Sequence, residues 1–294
     1  DIGLFSRVNV SLDWYTRTTK DLLMSKQLNS ISGFSSLLTN VGQMRNTGVE
    51  LEVRSNNIKT KDFSWTTAFN LSHNKNKILK LADLPWFVDG RYVRKEGYPF
   101  NTIYLREYAG VDPETGSALY YDNQQDENGN YTKNKVTDPG QASPIPLKDI
   151  TPTISGGFMN TFNYKFIDLS FNLSYSFGGY SYDNASYILQ DDGYSVISNK
   201  STEQRRRWQK PGDITDVPRF VYGNKKGGNY NSSRAIHSTD HIRLKSLILG
   251  LNAPKAWLQK LGIGNARIYF SGTNLLTWAA YGQYDPEMSG VVGL

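Results

Sequence analysis

Apolar and polar residues alternate along seven stretches of the chain, at residues 4–16, 46–54, 63–73, 154–164, 167–177, 240–251 and 265–273. A period near two sends successive side chains to opposite faces of an extended ribbon, so each stretch predicts a β-strand with one apolar face. In the first, Val8, Val10, Leu12 and Trp14 share a face while Arg7, Asn9, Ser11 and Asp13 share the other. Val49, Leu51 and Val53 oppose Glu50, Glu52 and Arg54 in the second, and Phe63, Trp65, Phe69 and Leu71 oppose Ser64, Thr66, Asn70 and Ser72 in the third. The fourth and fifth read as a hairpin closed by a tight turn near Lys165 and Phe166, with Phe158, Phe162, Leu169, Phe171 and Leu173 on its apolar side. The sixth is less regular. In the seventh, Ala266, Ile268 and Phe270 alternate with Arg267, Tyr269 and Ser271.

The connections carry as much information as the strands. They span residues 18–44, 55–61, 75–152, 165–166, 179–238 and 253–264, so long and short alternate without exception. Transmembrane β-barrels have this asymmetry, with short turns at one rim and long loops at the other. Compact soluble domains rarely carry several long irregular excursions. Strands of about 9–11 residues suffice to cross a bilayer when tilted, and aromatic residues recur at strand ends: Trp14, Tyr15, Phe63, Trp65, Tyr164, Tyr175 and Phe177. Such residues form girdles at membrane interfaces. A soluble sandwich with aromatic edges is the alternative that the pattern leaves open.

Composition sharpens this reading. Aromatic residues make up 13% of the 294, with 19 Tyr, 13 Phe and 6 Trp, a usage that favours strands over helices. Cysteine is absent, which excludes disulfides and thiolate metal sites. No apolar run approaches the roughly 18 residues a membrane helix needs, a fact that leaves a barrel untouched. The net charge of +6 suits an anionic partner such as lipopolysaccharide, an acidic ligand or nucleic acid. Its densest cluster, Arg205-Arg206-Arg207, reads as a solvated loop face, and no nucleic-acid partner is expected. The first residues show no leader and the last, Gly290 to Leu294, complete no strand, so both ends are expected to be cuts within a longer chain.

Catalytic and metal chemistry find little support. His237 and His241 lie four apart near a strand, where that spacing gives no shared helical face, and Ser72 beside His73 would point to the opposite side of a ribbon. The acidic tract 122–130 lacks the glycine and glutamate of a helix-loop-helix calcium site and reads as a turn. No enzyme activity and no cofactor are expected. Loop aromatics remain, because sugar rings and peptide side chains pack on aromatic faces. Among them Trp86, Tyr104, Tyr108, Tyr187, Tyr194 and Trp208 are the candidate contacts for substrate or partner.

An ordered set of segments resembles one family. Asp13-Trp14-Tyr15 leads to Thr19-Lys20-Asp21-Leu22-Leu23, then NVGQMRNTGVELEV (40–53), FSWTTAFNLSHNKNKI (63–78), GGFMNTFNYKFIDLSFNLSYSFGG (156–179), RWQKPGDITDVPR (207–219), DHIRLKSLILGLNAP (240–254), NARIYFSGTNLLTW (265–278) and Tyr284-Asp285-Pro286-Glu287. Together these are similar to the SusC/RagA family of TonB-dependent outer-membrane transporters of Bacteroidetes. The resemblance implies an all-β fold: an antiparallel transmembrane β-barrel segment, about seven strands of a barrel of about 22, with long extracellular loops. It further implies that residues 1–294 are a partial barrel domain, without the plug, the TonB-contacting segment and the final strand. The implied activity is energy-coupled import of glycans or peptides. The implied partners are a SusD-like surface lipoprotein, TonB acting through the N-terminal portion, an oligosaccharide or peptide cargo, and outer-membrane lipid. A passive porin or adhesin barrel and a soluble carbohydrate-binding sandwich are the competing functions.

Overall fold

The structure, a computed structural model, describes the chain apart from residues 29–30, 32, 35, 41, 82–83, 196, 225–230, 260–261, 289–290 and 293–294. Its frame is one eight-stranded antiparallel sheet. The strands are β1 (Ile2–Leu4), β2 (Val8–Thr19), β3 (Gly42–Lys59), β4 (Phe63–Leu81), β5 (Ile154–Tyr164), β6 (Ile167–Phe177), β7 (His241–Asn252) and β8 (Arg267–Ala279). Each pairs with the next in chain order, so the sheet is an up-and-down meander and forms a section of barrel wall. Short connections (5–7, 60–62, 165–166, 253–266) lie at one rim and long ones (20–41, 82–153, 178–240) at the other.

The register sets apolar residues side by side. Leu12 pairs with Leu51 and Leu51 with Leu71; Val53 pairs with Phe69, Phe69 with Phe158, Phe158 with Leu173, Leu173 with Leu244 and Leu244 with Leu276. This belt is uncovered: Trp14 is 72% exposed and Ile268 77% exposed. A sandwich would have packed a second sheet against it. Instead, among the described residues, hydrophobic clusters lie in the long loops and on the upper end of β4, around Ile78 and Leu81, around Ile103, Leu105 and Tyr182, and around Tyr120. An apolar face this large, left bare while polar loops build their own core, is a surface made for hydrocarbon. The other face carries Asn9, Glu52, Asn70, Asn172 and Arg267, the last paired with Asp168 at 2.5 Å.

Strand lengths fit a bilayer. The 11 residues of β6 extend roughly 36 Å at about 3.3 Å each, and a tilt near 40° leaves roughly 28 Å across the membrane. The long strands β3 and β4, of 18 and 19 residues, continue well above that belt.

Glycine makes one close contact possible. Tyr175 lies across Gly156 and donates its hydroxyl to the Asn70 carbonyl at 2.7 Å. A Cβ at Gly156 would sit 2.1 Å from that carbonyl oxygen and 2.4 Å from the tyrosine hydroxyl.

The sheet differs from the sequence expectation in several places. The predicted first strand is two: Phe5 and Ser6 adopt φ of 52° and 53°, and the chain folds back so that Leu4 pairs with Val8. Two left-handed residues make a hairpin turn of the kind usually announced by Asn-Gly, where this turn has Phe5-Ser6. The irregular sixth strand owes its broken alternation to a bulge at Lys245, which shifts the apolar register from Leu244 to Leu247. Residues 290, 293 and 294, where an uncompleted strand is expected, lie outside the described residues. Val291–Val292 pairs in parallel with Tyr180–Asp183.

Candidate functional site

The excursion 82–153 is a small folded unit and not an open loop. Strands Ile145–Asp149, Thr102–Leu105, Tyr92–Lys95 and Trp86–Asp89 form one sheet in that order, and Tyr108–Val111, Ala118–Tyr121 and Lys135–Val136 form a second. Alternation sends Ile103 and Leu105 to one buried face, against Tyr182, and the half-buried Tyr104 to the other. Beside these sheets opens a cavity of about 450 Å³ lined by Trp86, Tyr104, Lys95, Asn123, Gln124 and Tyr131, with Val93 and two prolines.

Two of the six candidate aromatics meet here. The Trp86 and Tyr104 rings lie 6.0 Å apart at 48° and flank the opening. Burial, together with the nearby Tyr131, raises the Tyr104 hydroxyl above its ordinary pKa, so it stays protonated and able to donate. Asn123 holds a left-handed backbone (φ 49°), and its Nδ2 donates weakly to Glu107 at 3.4 Å. Its Oδ1 is buried without a hydrogen-bond partner. Aromatic faces with amides and one ammonium suit a sugar ring or a peptide side chain. They offer no nucleophile paired with a base.

The other four candidates go elsewhere. Tyr108 packs edge-on against Tyr120 at 5.8 Å, and its hydroxyl donates to the Asp216 carbonyl at 3.0 Å. Burial pushes that hydroxyl far above its ordinary pKa. Trp208 donates its indole N–H to the Pro113 carbonyl at 2.8 Å and covers Gly116, where a Cβ would fall 2.4 Å from the ring. Tyr187 packs on the cluster of Ile103, Leu105 and Tyr182. Tyr194 is exposed and makes none of these packing contacts.

Tyr108 and Trp208 thus join the excursions 82–153 and 178–240, and a charged clasp stands beside them. Arg234 grips the fully buried Asp192 through two hydrogen bonds, of 2.6 and 3.2 Å, and Gln204 donates to the same carboxylate at 3.0 Å. The guanidinium lies 5.6 Å from the centre of the Tyr108 ring. Ser233, next in sequence, accepts from the Tyr108 backbone N–H at 2.9 Å.

No protein-family model matches the chain. TonB-dependent receptor P3 of Formosa agariphila is 35% identical over 306 residues, covering 98% of this chain and 30% of that protein. TonB-dependent receptor SusC of Bacteroides thetaiotaomicron is 28% identical, covering 99% of this chain and 29% of its own length. Among solved structures, the RagAB peptide transporter superposes with a TM-score of 0.82 at 31% identity, covering 96% of this chain and 31% of that one. The chain belongs to the SusC/RagA-like TonB-dependent receptors. It spans about 30% of the length of the curated relatives it matches.

In a SusC/RagA-like receptor the bare belt faces the lipid of the outer membrane, and the rim with the long excursions is extracellular. The motif Tyr284-Asp285-Pro286-Glu287 has a structural task in this receptor segment. Asp285 and Glu287 pair with Arg243 on the inward side of β7, and Glu287 also holds Lys245 at 2.6 Å. A few residues earlier, Tyr281 stacks on His237 with centroids 3.7 Å apart and donates to Asp183 at 3.0 Å. These contacts tie residues 281–287 to the wall and to the base of the preceding excursion. Sequence reasoning missed the clasp, this latch and the polar half of the cavity. The one local signal was Asp191-Asp192-Gly193, a turn-forming triplet whose Asp192 finds its cation 42 positions later.

Arg205-Arg206-Arg207 behaves as a loop face: Arg206 pairs with Glu203, and Arg207 donates to the Gln204 carbonyl. In the acidic tract, Asp126 accepts from the backbone N–H of Asn128 and Asn130, as expected of a turn. Among the described residues no three His, Asp or Glu side chains gather as a metal site.

Proposed function

We propose that this segment serves an outer-membrane importer that takes up oligosaccharides or peptides, with energy from TonB delivered through an N-terminal portion and a SusD-like lipoprotein at the extracellular rim. The observation that carries it is the match of 96% or more of the chain to TonB-dependent receptors and to a peptide transporter, in a wall whose long excursions all stand on one side. The cavity beside Trp86 and Tyr104 is the proposed contact for cargo or for the lipoprotein. The work is binding and gated passage, with no covalent step and no enzyme activity. Tyr194, exposed on the neighbouring excursion, is a second and separate candidate contact.

Uptake measurements test this. Cells lacking the gene are complemented with wild type or with Trp86→Ala/Tyr104→Ala and offered labelled oligosaccharide and peptide pools. Each aromatic contact contributes about 1 kcal/mol, so the double variant should take up cargo roughly thirtyfold more slowly at low concentration, with unchanged abundance in the outer membrane. Unchanged uptake by the double variant removes the cavity from the cargo path. Unchanged uptake by the deletion strain removes the importer.

A further inference from the structure

We propose that the outward face of β3 and β4, just above the hydrocarbon belt, binds the phosphate groups of glycolipid in the outer leaflet of the outer membrane. The inference goes beyond the importer reading, because it concerns the lipid around the wall and not the cargo inside it.

Register fixes the site. Leu12, Leu51 and Leu71 share one row of the belt, and Trp14, Val49 and His73 share the row above. Two residues further up, Thr47 pairs with Lys75, then Arg45 with Lys77, and past a bulge at Leu79, Gln43 with Lys80. Alternation sends all four cations to the side of Trp14 and Leu51, that is, toward lipid. Each of them is exposed, whereas the intervening Asn74, Asn76 and Ile78 are half-buried or buried. Alternate residues stand roughly 7 Å apart along a strand and facing residues about 5 Å apart across it, so Lys75, Lys77 and Arg45 can converge on one phosphate.

The charges are unbalanced. Arg45 and Lys77 face each other directly, an arrangement of like charges that destabilises a sheet unless an anion comes between them. Among the described residues, none of the four cations pairs with a carboxylate; Arg45 only shares a 3.3 Å hydrogen bond with Thr18. The nearby acidic residues, Glu50 and Glu52 of β3 and Asp13 of β2, point the other way. At the height of the cations the inward face of β3 and β4 carries neutral amides bonded to one another, Asn76 to Asn46 at 2.9 Å, with Arg17 of β2 beside them. On the outward face of β3 and β4 cations therefore stand only where the wall leaves hydrocarbon, the level at which phosphates of an outer-leaflet glycolipid lie, with Trp14 beneath them at the interface.

Full-length protein in detergent micelles provides the test. It is mixed with phosphorylated outer-leaflet glycolipid, with the same glycolipid after enzymatic dephosphorylation, or with inorganic phosphate as competitor, and retained lipid per barrel is read by mass spectrometry. Each surface cation contributes about a fivefold factor, so removing the phosphates should lower retention by about tenfold or more, and Arg45→Ala/Lys75→Ala/Lys77→Ala should lower it similarly. Arg54→Ala, on the inward face, should leave it unchanged. Equal retention of dephosphorylated glycolipid, or full retention by the triple variant, overturns the proposal. So does displacement of the lipid by an equal concentration of inorganic phosphate, which marks a free-anion site. Gel mobility before and after heating reports whether the triple variant folds; if it does not, Lys75→Gln and the dephosphorylation arm decide the matter.

Discussion

Single side chains decide how the excursions stay docked. Asp192→Asn leaves the Arg234 guanidinium buried beside a neutral amide, and breaking a buried pair in this way costs about 3–5 kcal/mol. Hydrogen exchange should then accelerate at residues 191–204 and 232–235, while the wall keeps its resistance to unfolding by detergent before heating. A second prediction concerns acid. Burial lowers the His237 pKa below its ordinary 6.5, so as pH falls through that value the unfolded histidine takes up a proton before the folded one does. The Arg243 hydrogen bond holds Asp285 below its usual range, and Lys245 and Arg243 outweigh burial to hold Glu287 down. A carboxylate with a depressed folded pKa stabilises the fold above its unfolded pKa and loses that contribution as pH drops through the folded one. All three groups have the same sign, so residues 281–287 should loosen on acidification, starting near 6.5 at His237 and continuing through the carboxylate range. His237→Phe should remove the first part of that loss, as read by hydrogen exchange at Tyr281 between pH 7 and 5. At this scale the sequence marks Trp86 and Tyr104 only as aromatics in a polar excursion, and the folded backbone is what brings their rings together beside one cavity. Asp192 and Arg234 were not legible, since neither sits in a periodic pattern and only the folded backbone brings them together.

For the strands, the informative contrast is between two adjacent glycines. Gly156→Ala forces a Cβ against the Asn70 carbonyl and the Tyr175 hydroxyl, whereas at Gly157 the nearest atom stands 3.4 Å away. Overpacking costs about 1–3 kcal/mol, so Gly156→Ala should lower the barrel's melting temperature in detergent, and Gly157→Ala should leave it nearly unchanged. Strand positions could be read from sequence wherever one face is uniformly apolar, and the hairpin of β5 and β6 matches its expected ends residue for residue. Ends failed where the ladder outruns the membrane: β4 was expected to stop at His73 but continues to Leu81, because Ile78 and Leu81 trade hydrocarbon for the loop core. The short strands between 82 and 153 were invisible for a related reason. Four-residue segments packed on several sides carry no period long enough to detect.

Across the whole molecule, two solvents divide the chain. Leu173 and Asn172 are neighbours on β6, one on the belt and one on the inward face. Leu173→Arg should cost about 2–4 kcal/mol near the bilayer middle and reduce the folded fraction recovered from membranes, while Asn172→Arg should be tolerated. The reverse result would mean that the wall is inside out. That the wall crosses a membrane was legible in the alternation of long and short connections; that the excursions build their own cores was not, because polar composition looks the same in a coil and in a small domain. The placement of those cores has an evolutionary consequence. Since the belt residues of the barrel staves take no part in the packing of the canopy above them, which only the upper end of β4 enters through Ile78 and Leu81, descendants can exchange one grip for another by redrawing residues 82–153 and 178–240, leaving untouched the part that every cell must first insert into oil.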